Sequence, residues 1–397
     1  MDKLEFLVVI MGLEAYAVLI LSLALKSEKR PIPENVADLW TPDRLKEQRA
    51  CFRESLLFLL KSVIGFSFVY SLEIILDVPE TWSSLFVGVP VLWLLAGELM
   101  MVLHLEAIVL CVKHYMRIQE RHGVGKSTWK SVRKKCYACC GCMAILSFLD
   151  FLSVLLLPAE YLSFCRSLRI MPTPPMIIVA VILLLLPLVA LFCITKPLPQ
   201  NPLADQVQRI ISRSGLRHCT VRVRAIRNND KKNGVCFRFF GRSVIFLFYD
   251  PDHEQDEEQI LAIVAHEIGH CVHAHSSERI ALLFFAFLPV ILLSGFSVWP
   301  GLAVNAFVGP VFTLLFWFVW LPALIVAGLS FSRRNEYEAD AYAAESGFGT
   351  PLIRMLRVSA TAEYEPLNPH PLLVKMIFKH PPVSQRIEAI EKKMDRY

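Results

Sequence analysis

Charge is what this sequence is short of. Only 19% of its 397 residues are Asp, Glu, Lys or Arg, against about 25% in soluble globular chains. Hydrophobic residues make up 55%, and mean hydropathy is +0.48. The apolar residues come in long runs that a soluble core cannot absorb, so a polytopic membrane protein is expected rather than the two soluble domains that length alone would allow. The N-terminus lacks the strongly basic stretch of a cleavable signal, and Phe6 to Leu25 is long enough to span. A retained anchor is expected there. Eleven cysteines are present, but their spacing suggests no secreted disulfide framework. No nucleic-acid motif, internal repeat or low-complexity stretch occurs. The bilayer, not nucleic acid, is the expected environment.

Seven segments are long and apolar enough to cross a bilayer: 6–25, 56–76, 85–112, 143–158, 176–195, 280–298 and 303–331. The last two are separated by only Trp299-Pro300-Gly301-Leu302 and form a hairpin. Segments 26–54 and 113–136 are heavily basic, whereas 77–84 has no Lys or Arg and 159–175 has only Arg166 and Arg169. The positive-inside rule makes the basic loops cytosolic. The N-terminus is then luminal, and segments 196–279 and 332–397 are cytosolic with the C-terminus. The expected divisions are 1–195, 196–279, 280–331 and 332–397. Glu14, Lys61, Glu73, Glu98, His104, Glu106 and Asp150 lie inside the spans. Such groups snorkel, pair between helices or face water, and their number among the first four spans favours a wet interior. Cys136, Cys139, Cys140 and Cys142 follow the basic run Lys130 to Lys135. Juxtamembrane cysteines suit S-palmitoylation, with a metal site or plain thiols as the alternatives.

The segment 196–279 reads as α/β. A helix is expected over Pro202 to Arg213. Strands are expected over Thr220 to Ile226, Val235 to Phe240 and Ser243 to Phe248, with Asn228-Asn229-Asp230 as a turn. Asp250-Pro251-Asp252 then opens a helix through His266-Glu267-Ile268-Gly269-His270. Residues four apart share a helix face, so His266 and His270 can hold one metal ion and Glu267 can take a proton from the attacking water. Catalytic zinc takes three protein ligands and keeps one position open. Glu336, in Asn335-Glu336-Tyr337-Glu338-Ala339-Asp340, is the expected third ligand, with one zinc per chain. Asp340 lies one turn on, placed to orient a ligand histidine. His273 and His275 follow on nearly the same face and read as helpers behind the ligands or as polar surface. A silent scaffold would not need to keep Glu267.

These residues resemble a known family. His266-Glu267-x-Gly269-His270 with His275, then Ser332-Arg333-Arg334-x-Glu336-x-x-Ala339-Asp340, then His380-Pro381-Pro382-x-x-x-Arg386 are similar to CAAX prenyl protease 1, the type I CAAX endopeptidases. The resemblance implies seven transmembrane helices around a water-filled chamber, capped by a cytosolic zincin-like α/β metalloprotease domain. It implies removal of the C-terminal tripeptide from prenylated CAAX proteins or peptides, at the endoplasmic reticulum membrane or nuclear envelope. It also implies that His380 and Arg386 hold the substrate backbone or stabilise the oxyanion. Asn233 resembles the asparagine that opens the substrate-facing edge strand, where Val235 and Phe237 would lie along an added peptide strand. Cys271 stands where the family often has tryptophan, and Gly234 where it usually has alanine. An HtpX-like quality-control protease is the alternative reading, with similar zinc motifs on fewer spans. An intramembrane site-2-type protease is disfavoured by the polar flanks Gln255 to Gln259 and Ser276 to Arg279.

Overall fold

The structure, a computed structural model, describes residues 3–76, 106–107, 109–123, 189, 191–225, 233–239, 241–249, 257–275, 278, 282, 319–363 and 365–396. The chain divides into two compact units. The first contains most of helices α1 (Lys3–Ser27) and α2 (Pro42–Ile75), together with the helical residues 109–121. These carry the first two expected spans and the end of the third. Within α1, Leu7–Ser27 is the one helix among the described residues that is long and apolar enough to cross a membrane by length and composition. Phe68, Leu72 and Ile75 of α2 are exposed. Glu54 binds Arg121 and His122 across from α2 to the helical residues 109–121. The fourth expected span, most of the third, fifth and sixth, the start of the seventh, and the cysteine cluster 136–142 lie outside the described residues.

The second unit is the α/β unit. Four strands, β1 (Lys196–Pro197), β2 (His218–Ala225), β3 (Asn233–Phe239) and β4 (Arg242–Tyr249), form one sheet in the order β1-β2-β4-β3. β2 and β4 run parallel; β1 and β3 are antiparallel to their neighbours. β3 is therefore an outer strand, with one row of backbone groups unpaired within the sheet. β1 went unread in the sequence because its two residues sit at the end of an apolar run taken for a span. Helix α3 (Pro202–Arg213) has the expected bounds, and its start is explained locally. The Asn201 side chain accepts from Ala204 N at 2.8 Å, and Pro202 supplies the first-turn φ. Gly241 turns the chain from β3 to β4 at φ +77°.

Helix α4 (Glu257–Val272) carries His266 and His270. The proposed opening at Asp250-Pro251-Asp252 lies outside the described residues. Every residue from Ile260 to Cys271 is buried, because α4 has a core on each side. On one side Ile260, Ile263, Val264 and Ile268 pack with Val207, Ile210 and Ile211 of α3 and with Ile245 and Leu247 of β4. On the other, Ala262 and Ala265 meet α5 (Leu321–Ala343), α6 (Gly349–Glu363) and α8 (Val383–Met394) through Ala343, Leu352, Leu356, Ile387 and Ile390. A helix apolar nearly all round is the pattern of full burial. Phe246, on the other face of β4, is covered by the rings of Phe192 and Phe237. The expected boundary at 331/332 is not a break: α5 runs unbroken from Leu321 to Ala343.

α4 and α5 touch almost backbone to backbone. A Cβ built on Gly269 would lie 2.9 Å from Ala339 Cα and 3.1 Å from Ala339 O. Helical Gly→Ala normally gains about 1 kcal/mol. Gly269→Ala is instead expected to lose roughly 1–3 kcal/mol of stability, because the atoms it meets are backbone and cannot rotate away. Denaturant titration reads this directly. A midpoint unchanged or raised would show that the helices do not need this contact.

Candidate metal centre

The α4–α5 contact sets one turn of each helix opposite the other. His266 and His270 of α4 face Glu336 of α5. The Nε2 atoms of the two histidines are 3.2 Å apart. Glu336 Oε2 lies 3.5 Å from His266 Nε2, and Glu336 Oε1 lies 3.6 Å from His270 Nε2. Ligands about 2.0–2.1 Å from a tetrahedral ion stand about 3.3 Å from one another, so the spacing fits a single small cation. This is the one such cluster among the described residues, and all three side chains are buried.

The groups behind the donors fix their orientation. His266 Nδ1 lies 3.0 Å from Asp340 Oδ1, a close electrostatic contact at poor hydrogen-bond angle. Ala274 takes a left-handed φ of 56° just after α4, turning the chain so that His275 Nδ1 meets His270 Nδ1 at 2.8 Å. His275 Nε2 in turn contacts Glu338 Oε2 at 2.9 Å. His275 is thus buried behind a donor rather than on the polar surface, and Glu338, which the sequence reading passed over, completes that chain. It sits two residues after Glu336, a spacing that gives no helical signal of a shared task.

Arg386 faces inward. Its Nε and Nη2 donate to both Asp340 oxygens at 2.8 and 2.7 Å, and its Nη1 lies 3.2 Å from Glu336 Oε2. It therefore holds the site's carboxylates, and it also lines the cavity in front of the donors, where the resemblance implied a substrate contact. Burial alone would raise the Glu336 pKa, but Arg386, His266 and His380 hold that carboxyl well below the usual range. Burial would likewise lower His266, yet Asp340 and Glu336 push it up to about 10.

The donors line a cavity of about 330 Å³ together with Glu267. Asn233, Gly234, Val235 and Cys236 of β3 form one wall, and Lys379, His380 and Pro381 another. His380 is half exposed, its Nδ1 3.1 Å from Glu336 Oε1. Its loop is held by Arg333, which donates to Val374 O and Phe378 O at 2.9 and 2.8 Å at the end of helix α7 (Pro371–Ile377). Asn233 Oδ1 accepts from Gly234 N, so its side chain shapes the strand's start. Phe237 does not line the cavity; its ring packs edge-on against Phe246. One covalent link also escaped the sequence reading: Cys236 of β3 is joined to Cys271 of α4.

Removing Arg386 should leave two buried carboxylates uncompensated. Arg386→Ala is expected to lose about 3–5 kcal/mol, with weakened metal retention, read by denaturation and metal analysis of the same preparation. Full stability in this variant would show that Asp340 and Glu336 do not depend on it.

Residues 197–394 match peptidase family M48. The chain is 26% identical over 207 residues to a CAAX prenyl protease 1 homolog of Arabidopsis thaliana, covering 49% of this chain and 48% of that one. It is 27% identical over 170 residues to CAAX prenyl protease 1 of Saccharomyces cerevisiae, covering 37% and 38%. The chain thus spans about half the length, or less, of the curated relatives it matches. The crystal structure of Ste24p from S. mikatae has the same fold, with a TM-score of 0.72 over 98% of each chain at 19% identity. The donor geometry and the family match agree: residues 197–394 carry the peptidase family M48 domain, and the chain is similar to CAAX prenyl protease 1 proteins.

Proposed function

We propose that this protein is a zinc metalloendopeptidase that removes the C-terminal tripeptide from prenylated CAAX proteins. The observation that carries the reading is one cavity containing three donors at metal spacing, the Glu267 carboxylate and the outer strand β3. The names of the curated relatives point to the substrate class. His266, His270 and Glu336 would hold the ion. When bound there, zinc supplies Lewis acidity, polarising the scissile carbonyl and making water acidic enough to ionise near neutral pH.

The chain's own groups do the rest. An extended peptide adds to the outer edge of β3, its backbone pairing from Asn233 along Val235. Glu267 takes the proton of the attacking water and passes it to the leaving amine. His380 stands on the opposite wall and donates to the developing oxyanion. Asp340 and His275 keep the ligand imidazoles oriented, and Arg386 holds Glu336 and Asp340 while lining the peptide's cavity.

The finer architecture belongs to the same proposal. Seven spans enclose a water-filled chamber, and the catalytic unit faces the cytosol at the endoplasmic reticulum membrane or nuclear envelope. The support is the run of apolar segments, the basic loops 26–54 and 113–136, and the exposed apolar faces of α1 and α2. Segments 1–195, 196–279, 280–331 and 332–397 remain our functional divisions, with α5 spanning the last boundary as one helix.

The test uses the full chain in detergent and a farnesylated Cys-aliphatic-aliphatic-X peptide. Tripeptide release is expected to stop with a chelator and return with zinc. Glu267→Gln should lower the rate by about 10²–10⁴-fold while folding and metal content stay unchanged. Release that survives chelation, or a Glu267→Gln rate equal to wild type, would overturn the reading.

A further inference from the structure

Three alternate residues of β3 face α4, and each meets a successive part of it. A Cβ on Gly234 would lie 2.6 Å from Glu267 Cγ and 2.9 Å from Ile263 Cγ2. Cys236 is bonded to Cys271, their Cα atoms 6.4 Å apart. Arg238 Nη1 donates to Cys271 O at 2.7 Å and to Val272 O at 3.2 Å. Strand residues two apart share a face, and their helix partners advance in step from 263 and 267 to 271 and 272. The strand therefore lies along the helix in a single register, and the middle contact is covalent. Cys271 directly follows His270. Cys236 sits among the β3 residues that line the cavity.

We propose that Cys236 and Cys271 are positioning residues. Their bond sets the distance between the free edge of β3 and the helix that carries Glu267 and two metal donors, and thiol–disulfide exchange through the cavity opens and closes it. The proposal rests on the reading of β3 as the strand that pairs with substrate. On the cytosolic placement proposed above, a disulfide faces a reducing compartment, where such bonds are transient or sensing rather than structural, and this one ties one wall of the cavity to the helix that carries two of the donors. Both cysteines are buried, so the cavity, which Cys236 lines, is the route for a small thiol such as glutathione. Its thiolate attacks Cys236 Sγ. The S–S bond breaks, a mixed disulfide forms on Cys236, and Cys271 leaves as a thiolate that takes a proton. A second glutathione attacks the glutathione sulfur of that mixed disulfide, freeing the Cys236 thiol and forming glutathione disulfide. Two cysteines are reduced and two glutathiones oxidised; glutathione disulfide drives the reverse.

Opening the bond leaves the fold in place. β3 keeps its ladder to β4 from Asn233 to Phe239, Arg238 still holds the end of α4, and all three metal donors sit on α4 and α5. What changes is how firmly the outer edge is held beside Glu267, so substrate binding should respond more than turnover.

The test compares the zinc-loaded full chain, oxidised with glutathione disulfide, with the same protein after a phosphine reductant. Alkylation and mass analysis report the state of the pair. Reduction is expected to raise KM about tenfold, with an equal rise in the Kd of the CAAX peptide for Glu267→Gln protein. Metal content should not change, kcat should move little, and reoxidation should restore both constants. Cys236→Ser should start at the weak value and ignore the reductant. Equal constants in the two verified states, or free thiols at both positions after glutathione disulfide treatment, would overturn the proposal. If neither state binds or cuts the peptide, the peptidase reading fails. Limited proteolysis at unchanged metal content then decides the positioning claim. Faster cleavage within residues 233–239 after reduction supports it, and equal cleavage overturns it.

Discussion

Two carboxylates on one helix face, one turn apart and out of water, are the constraint from which the rest of the α/β unit follows. Glu336 and Asp340 repel each other at that spacing and lose hydration on burial. Positive charge must be brought to them. Arg386 comes from α8, bidentate on Asp340 and reaching Glu336. His266 comes from α4 and lies against both. The placement of α8 and α4 around α5 is therefore electrostatic in its logic as well as apolar in its packing. A cation between Glu336 and the two histidines would complete the same neutralisation. The centre is an internal charge cluster as much as a set of metal donors.

Such a cluster needs rigid walls, and α4 supplies them by having no solvent face. Its apolar residues fill one core against α3 and the sheet and another against α6 and α8. With both flanks committed, the helix cannot roll, and His266, Glu267 and His270 are presented in one direction only. The small residues Gly269 and Ala339 do the complementary work, letting two backbones meet so that short side chains can reach across.

The parts legible in the sequence were those encoded by local period and chemistry. The i, i+4 histidines, the carboxylate ladder at 336 and 340, and the Asn201-Pro202 helix start all depend on neighbours within a turn. The three longer strands were legible for the same reason, each within two residues of its expected ends. What was not legible depends on distant partners. Nothing near Arg386 says that its guanidinium turns inward onto α5. Nothing near Phe237 says that Phe246 takes its ring away from the cavity. The two-residue β1 has no pattern of its own, and its place comes from Val223 and Arg222. The Cys236–Cys271 link joins residues 35 apart that only the strand-on-helix register brings together.

The Gly269–Ala339 contact has a mechanical consequence. It is the fulcrum on which α5 rests against α4, and it lies close to one end of α5. At 1.5 Å per residue, Glu336 is about 4.5 Å from that fulcrum and Leu321 about 27 Å from it. The arms are thus unequal by about sixfold, and a displacement of about 3 Å at the apolar end tilts Glu336 by only about 0.5 Å. The helix acts as a reducing lever, and disturbance at its far end reaches the donor triangle geared down.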